Sequence, residues 1–221
     1  MSPQVYALLV DATTETLFMV GVSGAVATVL GLPLGLALAV SGRGELLQCL
    51  AFNHVAGLLI NATRSTPFII LVVAIIPFTR LVVGTSIGTR AAIVPLIVAA
   101  TPFIARVVEA AIREVDRGLT EAAAAMGATP LQIIRKVLLP EALPAIILGL
   151  TLAAVSLIGY SAMVGAVGGG GLGDLGIRYG YQRFLPDVMA AVVLVLIVLV
   201  QVVQSGGEWI ARRVNKRNLK T

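Results

Sequence analysis

The sequence predicts an all-α integral membrane protein whose single transmembrane domain, residues 1–221, crosses the bilayer five times. The first observation is composition: 58% of the residues are hydrophobic and only 12% are charged, whereas soluble domains are about 25% charged. The second is the length of the uncharged runs, such as residues 142–173 and 188–207, since about 20 apolar residues cross the hydrocarbon core as a helix. Because lipid offers backbone groups no hydrogen-bond partner, a helix is the expected form of each span.

The five spans are placed at about residues 16–40, 53–78, 91–106, 143–166 and 187–207. The first contains small residues that would let a neighbouring backbone come close, namely Gly21, Gly24, Gly31 and Gly35. Prolines are expected to bend the third span, which continues as an amphipathic helix through Arg113. The glycine-rich residues 166–186 indicate an external loop or a re-entrant turn.

Basic residues indicate the orientation of the chain, because Lys and Arg accumulate on the cytoplasmic side of a membrane protein. The predicted outside segments contain Arg80, Arg90, Arg178 and Arg183. The predicted inside segments contain Arg43, Arg106, Arg113, Arg117, Arg135, Lys136, Arg212, Arg213, Lys216, Arg217 and Lys220. This imbalance places the N-terminus outside and the C-terminus inside. It also accounts for the net charge of +5 without any nucleic-acid partner.

Arg64 is the charged residue that the second span would carry at membrane depth. An arginine there costs at least ~2.5–3.5 kcal/mol on insertion scales, so it usually faces a partner, a cavity or water. Pro67, one turn later, removes a backbone hydrogen bond from the same helix. Two interpretations remain open: a polar, broken segment that lines a pathway, or a tilted helix whose arginine extends to the inner interface.

The inside loop of residues 117–141, hereafter the 117–141 loop, predicts two short helices between spans. The first, roughly residues 119–126, is rich in alanine and ends at Gly127, where a helix C-terminus favours a left-handed residue. The second begins with a capping-box pattern at Thr129, Pro130 and Gln132. We expect it to end at Pro140, because proline is disfavoured inside a helix. Two short, capped helices in this position indicate a docking surface.

The sequence lacks the residues that most enzymatic sites require. It contains no Gly-Lys pair, so it has no P-loop that could bind ATP. His54 is the only histidine and Cys49 the only cysteine, which excludes a histidine or thiolate metal cluster and makes a Ser-His-Asp triad implausible. We therefore expect no catalytic residue, no metal site and no cofactor in this chain. Energy for uphill transport would have to come from a partner.

The 117–141 loop resembles the EAA loop of ABC-importer permeases, in which Glu-Ala-Ala is followed at fixed spacing by Gly, an apolar residue and Leu-Pro. The matching residues are Glu121, Ala122, Ala123, Gly127, Val137, Leu139 and Pro140, with Val137 in place of the usual Ile. In that family the loop forms a coupling helix that sits in a cleft of a cytoplasmic ATPase. The resemblance implies the same contact here. The alternative is an ordinary amphipathic helix pair in another kind of membrane protein.

Further segments resemble the permeases of methionine importers, including residues 64–71, 76–80 and 159–163. The resemblance implies a type I ABC-importer permease fold with cytoplasmic coupling helices, in a bacterial cytoplasmic (inner) membrane. It also implies a homodimer surrounded by lipid, two ATPase subunits that bind ATP and Mg, and an external lipid-anchored methionine-binding protein. For the translocation pathway or gate we single out Arg64, Ser65, Thr66, Tyr160, Ser161 and Met163.

The predicted function is the permease subunit of an ATP-driven importer of D- or L-methionine, and three alternatives remain open. An importer of the same class could carry another amino acid or an osmolyte, because nothing in the spans recognises a thioether. A stand-alone secondary transporter is the second, although such proteins show internal repeats and midplane ionisable residues, and here only Arg64 qualifies. A scaffold subunit without a pathway is the third.

Overall fold

The computed structural model describes residues 3–215, and within that range the chain is helical apart from turns and short connections. Its α-helices are α1 (Pro3–Val40), α2 (Leu50–Ser65), α3 (Phe68–Ala74), α4 (Ile76–Val83), α5 (Thr89–Arg113), α6 (Arg117–Ala125), α7 (Pro130–Ile133), α8 (Leu139–Val164), α9 (Gly171–Leu175) and α10 (Pro186–Val214). Three π-helical segments accompany them: Ile134–Leu138, Gly165–Gly169 and Gly176–Tyr181. The predicted inside residues Lys216, Arg217 and Lys220 lie outside the described residues.

Within residues 3–215, four helical stretches are long and apolar enough to cross a membrane: Val5–Val40, Thr89–Arg113, Pro130–Gly169 and Pro186–Val214. Helices α2 and α3 pass the same test together, and they would form a fifth span that is bent by 104°. Of the two interpretations left open for residues 53–78, the structure has the broken segment, while its role in lining a pathway stays a prediction. Thr66 and Pro67 have extended ψ values of 125° and 132° at the break, since proline disfavours a helical conformation at the residue before it and lacks the amide that would continue α2.

The core is built where α1 packs along α5 with small residues at the contact. A Cβ on Gly31 would lie 2.9 Å from Cβ of Ile104 and 2.9 Å from the carbonyl oxygen of Thr101. A Cβ on Gly35 would meet the carbonyl oxygen of Ala105. The two backbones thus approach so closely that only glycine fits, as membrane helix interfaces often require. The fully buried side chains around this contact include Met19, Leu38, Leu96, Ile104 and Leu157.

A single continuous helix crosses Pro140, at which the sequence predicted an end, and the nearby Pro144. Helix α7 passes through the π-helical segment Ile134–Leu138 into α8, which contains Pro140 and Pro144. The wider π-turn lets the amide of Leu139 donate to the carbonyl of Ile134, so Pro140 falls at the second position of the following helix, where a missing amide is tolerated. The prediction that the helix ends at Pro140 is wrong for this reason.

The glycine-rich segment between α8 and α10 is a compact helical turn that packs on α1. Gly168, Gly170 and Gly171 have positive φ, so the chain can reverse within a few residues. The backbone amide of Gly171 donates to Oε2 of Glu15 over 2.7 Å. Helix α1 extends N-terminal to the start of the predicted span at residue 16, and Ala12 in this extension packs in one cluster with Leu172 of the glycine-rich segment.

Candidate functional site

The first helix of the 117–141 loop is capped at both ends, at its C-terminus by the glycine that the sequence indicated and at its N-terminus by an aspartate that the sequence analysis did not single out. At the N-terminus, the carboxylate of Asp116 accepts a hydrogen bond from the amide of Gly118 over 2.8 Å. At the C-terminus, Gly127 has φ +82°, and its amide donates to Ala124 while the amide of Ala128 donates to Ala123. This pair of bonds is the Schellman motif, which requires a left-handed residue at the position of Gly127. The predicted role of Gly127 in the turn is confirmed.

The second helix begins with the predicted capping box. The amide of Thr129 donates to Oε1 of Gln132 over 2.9 Å, and the amide of Gln132 donates to Oγ1 of Thr129 over 3.4 Å. Pro130 occupies the first turn, where its missing amide leaves no bond unmade. The turn between α6 and α7 is therefore specified locally and holds the two helices at a fixed angle.

The 117–141 loop has one face in the core and one face open to the surroundings. Ala123 is buried and packs in the main core with Ile133, Ile134 and Leu138, so it is a packing residue. Glu121, Ala122, Gly127 and Pro140 are exposed, and Leu139 is half-buried. Large apolar side chains also project from the exposed face: Met126 is 82% and Leu131 63% exposed. An exposed apolar patch beside charges is typical of a protein-protein contact.

Glu121 has no hydrogen bond or ion pair with another residue within 3–215. It lines a cavity of about 520 Å³ beside the 117–141 loop, with Arg113 and Arg117 among the other lining residues. Across that cavity, Arg117 and Glu45 approach to 3.8 Å. The Glu121 carboxylate is therefore available to a partner, and it caps no helix in the part of the chain that the structure describes.

Three of the predicted pathway residues line one cavity at the break between α2 and α3. Arg64, Thr66 and Tyr160 surround a space of about 230 Å³. The Tyr160 ring stacks on that of Phe68, with centroids 4.4 Å apart and planes 15° from parallel. Helix α8 thus contacts the first residue of α3 beside the break.

The other predicted pathway residues do not line that cavity. Ser161 is buried and its hydroxyl donates to the carbonyl of Ile158 over 2.7 Å. Ser65 is exposed, and its hydroxyl donates to the carbonyl of Asn61. Met163 is 48% exposed on α8. Within this chain, Ser161 serves helix packing, while pathway roles for Ser65 and Met163 stay predictions.

The structure also reveals a buried charge cluster that the sequence analysis did not single out. Glu109 is only 4% exposed, and its carboxylate pairs with Arg106 at 2.6 Å and with Arg113 at 2.8 Å. Arg106 also donates to Oδ1 of Asn61 over 2.9 Å and to the carbonyl of Gly57, so the cluster ties α5 to α2. The sequence signal was available, because these three residues have the i, i+3 and i, i+4 spacing of helix ion pairs.

A second group of charges lies outside the spans, in α9 and in the π-helical segment and turn that lead from it to α10. Asp174 and Arg178 form an ion pair one helical turn apart. The hydrogen bond from Arg178 to Asp174 raises the pKa of the guanidinium above its ordinary value, although burial acts in the opposite direction. The guanidinium of Arg183 lies 4.4 Å from the centre of the Tyr179 ring. These contacts stabilise the connection into α10.

A family model described as "Binding-protein-dependent transport system inner membrane component" matches residues 31–216. The chain is 56% identical over 210 residues to the probable D-methionine transport system permease protein MetI of Vibrio cholerae serotype O1, covering 95% of this chain and 93% of that protein. It is 48% identical over 217 residues to the probable D-methionine transport system permease protein MetI of Pasteurella multocida, covering 98% and 100%. The D-methionine transport system permease protein MetI of Escherichia coli K12 is 53% identical over 165 residues, covering 75% and 76%.

Solved structures give the same result at the level of the fold. A chain from a structure described as inward facing conformations of the MetNI methionine ABC transporter superposes with a TM-score of 0.95 at 50% identity, covering 98% of this chain and 100% of that one. A chain of an amino acid ABC transporter solved with histidines superposes with a TM-score of 0.79 at 20% identity, covering 95% of both chains. At that identity, the second match shows a shared fold alone.

Proposed function

Since this chain belongs to the family of binding-protein-dependent transport system inner membrane components, we propose that it is the permease subunit of an ATP-driven methionine importer. The observation that carries this proposal is the similarity to D-methionine permeases, at 56% identity over 95% of the chain. It is supported by the close superposition on a chain of a methionine ABC transporter. This evidence favours methionine over another amino acid, and an ABC permease over a stand-alone transporter or scaffold. The site of action is the bacterial inner membrane.

In this proposal, the permease forms a homodimer and two ATPase subunits dock on the 117–141 loops. ATP and Mg are bound by those subunits, and this chain performs no hydrolysis. The exposed apolar side chains of Met126 and Leu131 suit a cleft on a partner protein. Glu121, which is unpaired within residues 3–215, would supply a charged contact at the same surface. A lipid-anchored binding protein would deliver methionine from the other side of the membrane.

The continuous helix from α7 through α8 provides the mechanical connection that such an importer needs. From Pro130 at the docking surface to Tyr160 at the cavity, it runs about 45 Å at 1.5 Å per residue. Closure of the ATPase dimer would move the 117–141 loops, and a helix of this length would transmit that movement to the broken α2–α3 segment. The permease would thereby alternate between inside-open and outside-open states.

Reconstitution of transport tests the proposal. Proteoliposomes would contain the permease with its ATPase, and the binding protein loaded with radiolabelled D-methionine would be added on the side opposite the ATPase. We expect uptake that requires ATP, the ATPase and the binding protein together, and none when ADP replaces ATP. Methionine uptake by the permease alone would overturn the proposal. ATP-driven uptake of a different amino acid, with none of methionine, would overturn the assigned substrate.

A further inference from the structure

A small cavity at the break between α2 and α3 is lined partly by polar and partly by apolar residues. Thr63, Arg64 and Thr66 belong to the end of α2, while Phe68, Leu71, Ala99, Phe103 and Tyr160 supply the remaining lining. Its volume of about 230 Å³ lies below the roughly 300–1,000 Å³ of pockets for drug-sized ligands. The space therefore suits a smaller molecule that is partly charged and partly apolar.

The Arg64 guanidinium is the unusual feature of this cavity, because it has no ion pair or hydrogen bond with another residue in the range 3–215. Arg106, the neighbouring arginine on α5, is by contrast paired with Glu109 and bonded to Asn61. A cation in a membrane-embedded segment is costly unless it meets an anion or water. The preferred partner of a guanidinium is a carboxylate, which it binds through two parallel hydrogen bonds.

The aromatic part of the lining provides a surface for an apolar group. The stacked rings of Phe68 and Tyr160 and the ring of Phe103 belong to the same cavity lining as Arg64. Aromatic rings bind apolar chains and the polarisable sulfur of a thioether favourably. The last carbonyl groups of α2 carry the partial negative charge of a helix C-terminus, which favours a nearby ammonium group.

We infer that this cavity is a substrate-binding subsite within the permease, occupied during transport by a free amino acid with an apolar side chain. The substrate carboxylate binds the Arg64 guanidinium, and its side chain packs on the Phe68–Tyr160 stack. This inference rests on the proposed function and adds to it, since a pathway can conduct a substrate without a site that recognises it. Binding at the junction of two half-helices also links occupancy to the angle between α2 and α3.

Protection of an engineered cysteine tests the subsite. Ala99 lines the cavity, whereas the native Cys49 is exposed and lies outside the cavity lining. The Ala99→Cys permease is purified with its ATPase, and modification of each cysteine by a thiol reagent is followed by mass spectrometry of the permease chain. We expect D-methionine to slow modification at position 99 and to leave the rate at Cys49 unchanged. The amide of D-methionine, which lacks the carboxylate, should require about tenfold more ligand for equal protection.

Arg64→Gln, added to Ala99→Cys, should likewise raise the half-protecting concentration of D-methionine about tenfold or more. The matched control is Arg90→Gln, because Arg90 is also exposed and unpaired within residues 3–215 but is not part of the cavity lining. This control substitution should leave protection of position 99 unchanged. Equal protection by methionine and its amide, or equal protection in the Arg64→Gln and parent chains, would overturn the subsite. So would the absence of protection in a complex that still imports methionine. If the parent complex, without any of these substitutions, imports no methionine with ATP and the binding protein, the proposed function itself is refuted.

Discussion

The turn at Gly127 gives the sharpest test of the docking surface, because its geometry separates backbone strain from steric crowding. Gly127 has φ +82°, and no heavy atom lies within 4 Å of the position that a Cβ would occupy. The cost of Gly127→Ala is therefore the cost of a left-handed conformation, about 1–2 kcal/mol. That cost lowers the equilibrium ratio of native to non-native turn by a factor of roughly 5–30.

Gly127→Asp should be more damaging to transport than Gly127→Ala, although aspartate tolerates the left-handed region better. Its charge would lie at the C-terminus of α6, where the helix dipole disfavours an anion, and on the exposed face that carries Glu121. We expect Gly127→Asp to abolish methionine uptake and Gly127→Ala to reduce it several-fold. Gly127→Asn should retain the highest uptake of the three variants. Asparagine accepts the left-handed conformation without adding charge.

The assay is ATP-dependent uptake in proteoliposomes, with the amount of inserted permease measured in the same preparation. Gly84→Ala is the matched control, because Gly84 has φ +83° and the same open space around a Cβ, yet it lies between α4 and α5. It should carry a similar backbone cost and keep uptake near the parent level. Normal uptake by Gly127→Asp, or an equal loss in Gly84→Ala, would refute the role assigned to this turn.

Two further predictions concern the packing and the charges of the spans. Gly35→Ala should destabilise the permease by about 1–3 kcal/mol, because the new methyl would meet the carbonyl of Ala105. Its control, Gly21→Ala, should be neutral or slightly stabilising, since nothing lies within 4 Å of the added Cβ. Equal thermal midpoints for the two variants would contradict the close α1–α5 contact. Glu109→Gln should cost about 3 kcal/mol because it leaves two arginines without their buried counter-charge, and Glu208→Gln, at an exposed pair, should cost about 0–1 kcal/mol. Thermal unfolding of the purified complex measures the stability of each variant. Equal losses of stability in Glu109→Gln and Glu208→Gln would show that the buried Glu109 cluster stabilises the permease no more than an exposed ion pair does.

Features of the 117–141 loop were predictable because they depend on neighbouring residues. The capping box at Thr129 and the left-handed turn at Gly127 involve atoms three to five residues apart, so the local sequence specifies them. The break at Pro67 was expected for the same reason. At Pro140 the same local reasoning failed, since the π-turn at Ile134–Leu138 accommodates a proline that an uninterrupted α-helix would not accept.

Contacts between helices were not predictable in the same way. Both Gly21 and Gly35 are glycines of one span, but only Gly35 meets α5, because the rotation of α1 about its axis decides which residues face that neighbour. Likewise, Tyr160 reaches the cavity at the helix break while Ser161, one residue later, is buried in packing. A step of one residue rotates a side chain by about 100° around a helix of 3.6 residues per turn.

The sequence alone was sufficient for the class of protein and for the capped turn of the 117–141 loop, because hydropathy and capping act along the chain; the docking role of that loop stays a prediction. Tertiary structure decided which charges are buried and which meet a partner on another helix. The pairs of Glu109 with Arg106 and Arg113 lie within α5 and follow from local spacing, but the burial of Glu109 and the hydrogen bond from Arg106 to Asn61 depend on packing. Arg64 is left without a counter-charge within residues 3–215, because sequence spacing specifies the distance of about 4 Å that an ion pair needs only within a single helix, whereas the placement of α2 against α5 and α8 decides which side chains of different helices meet.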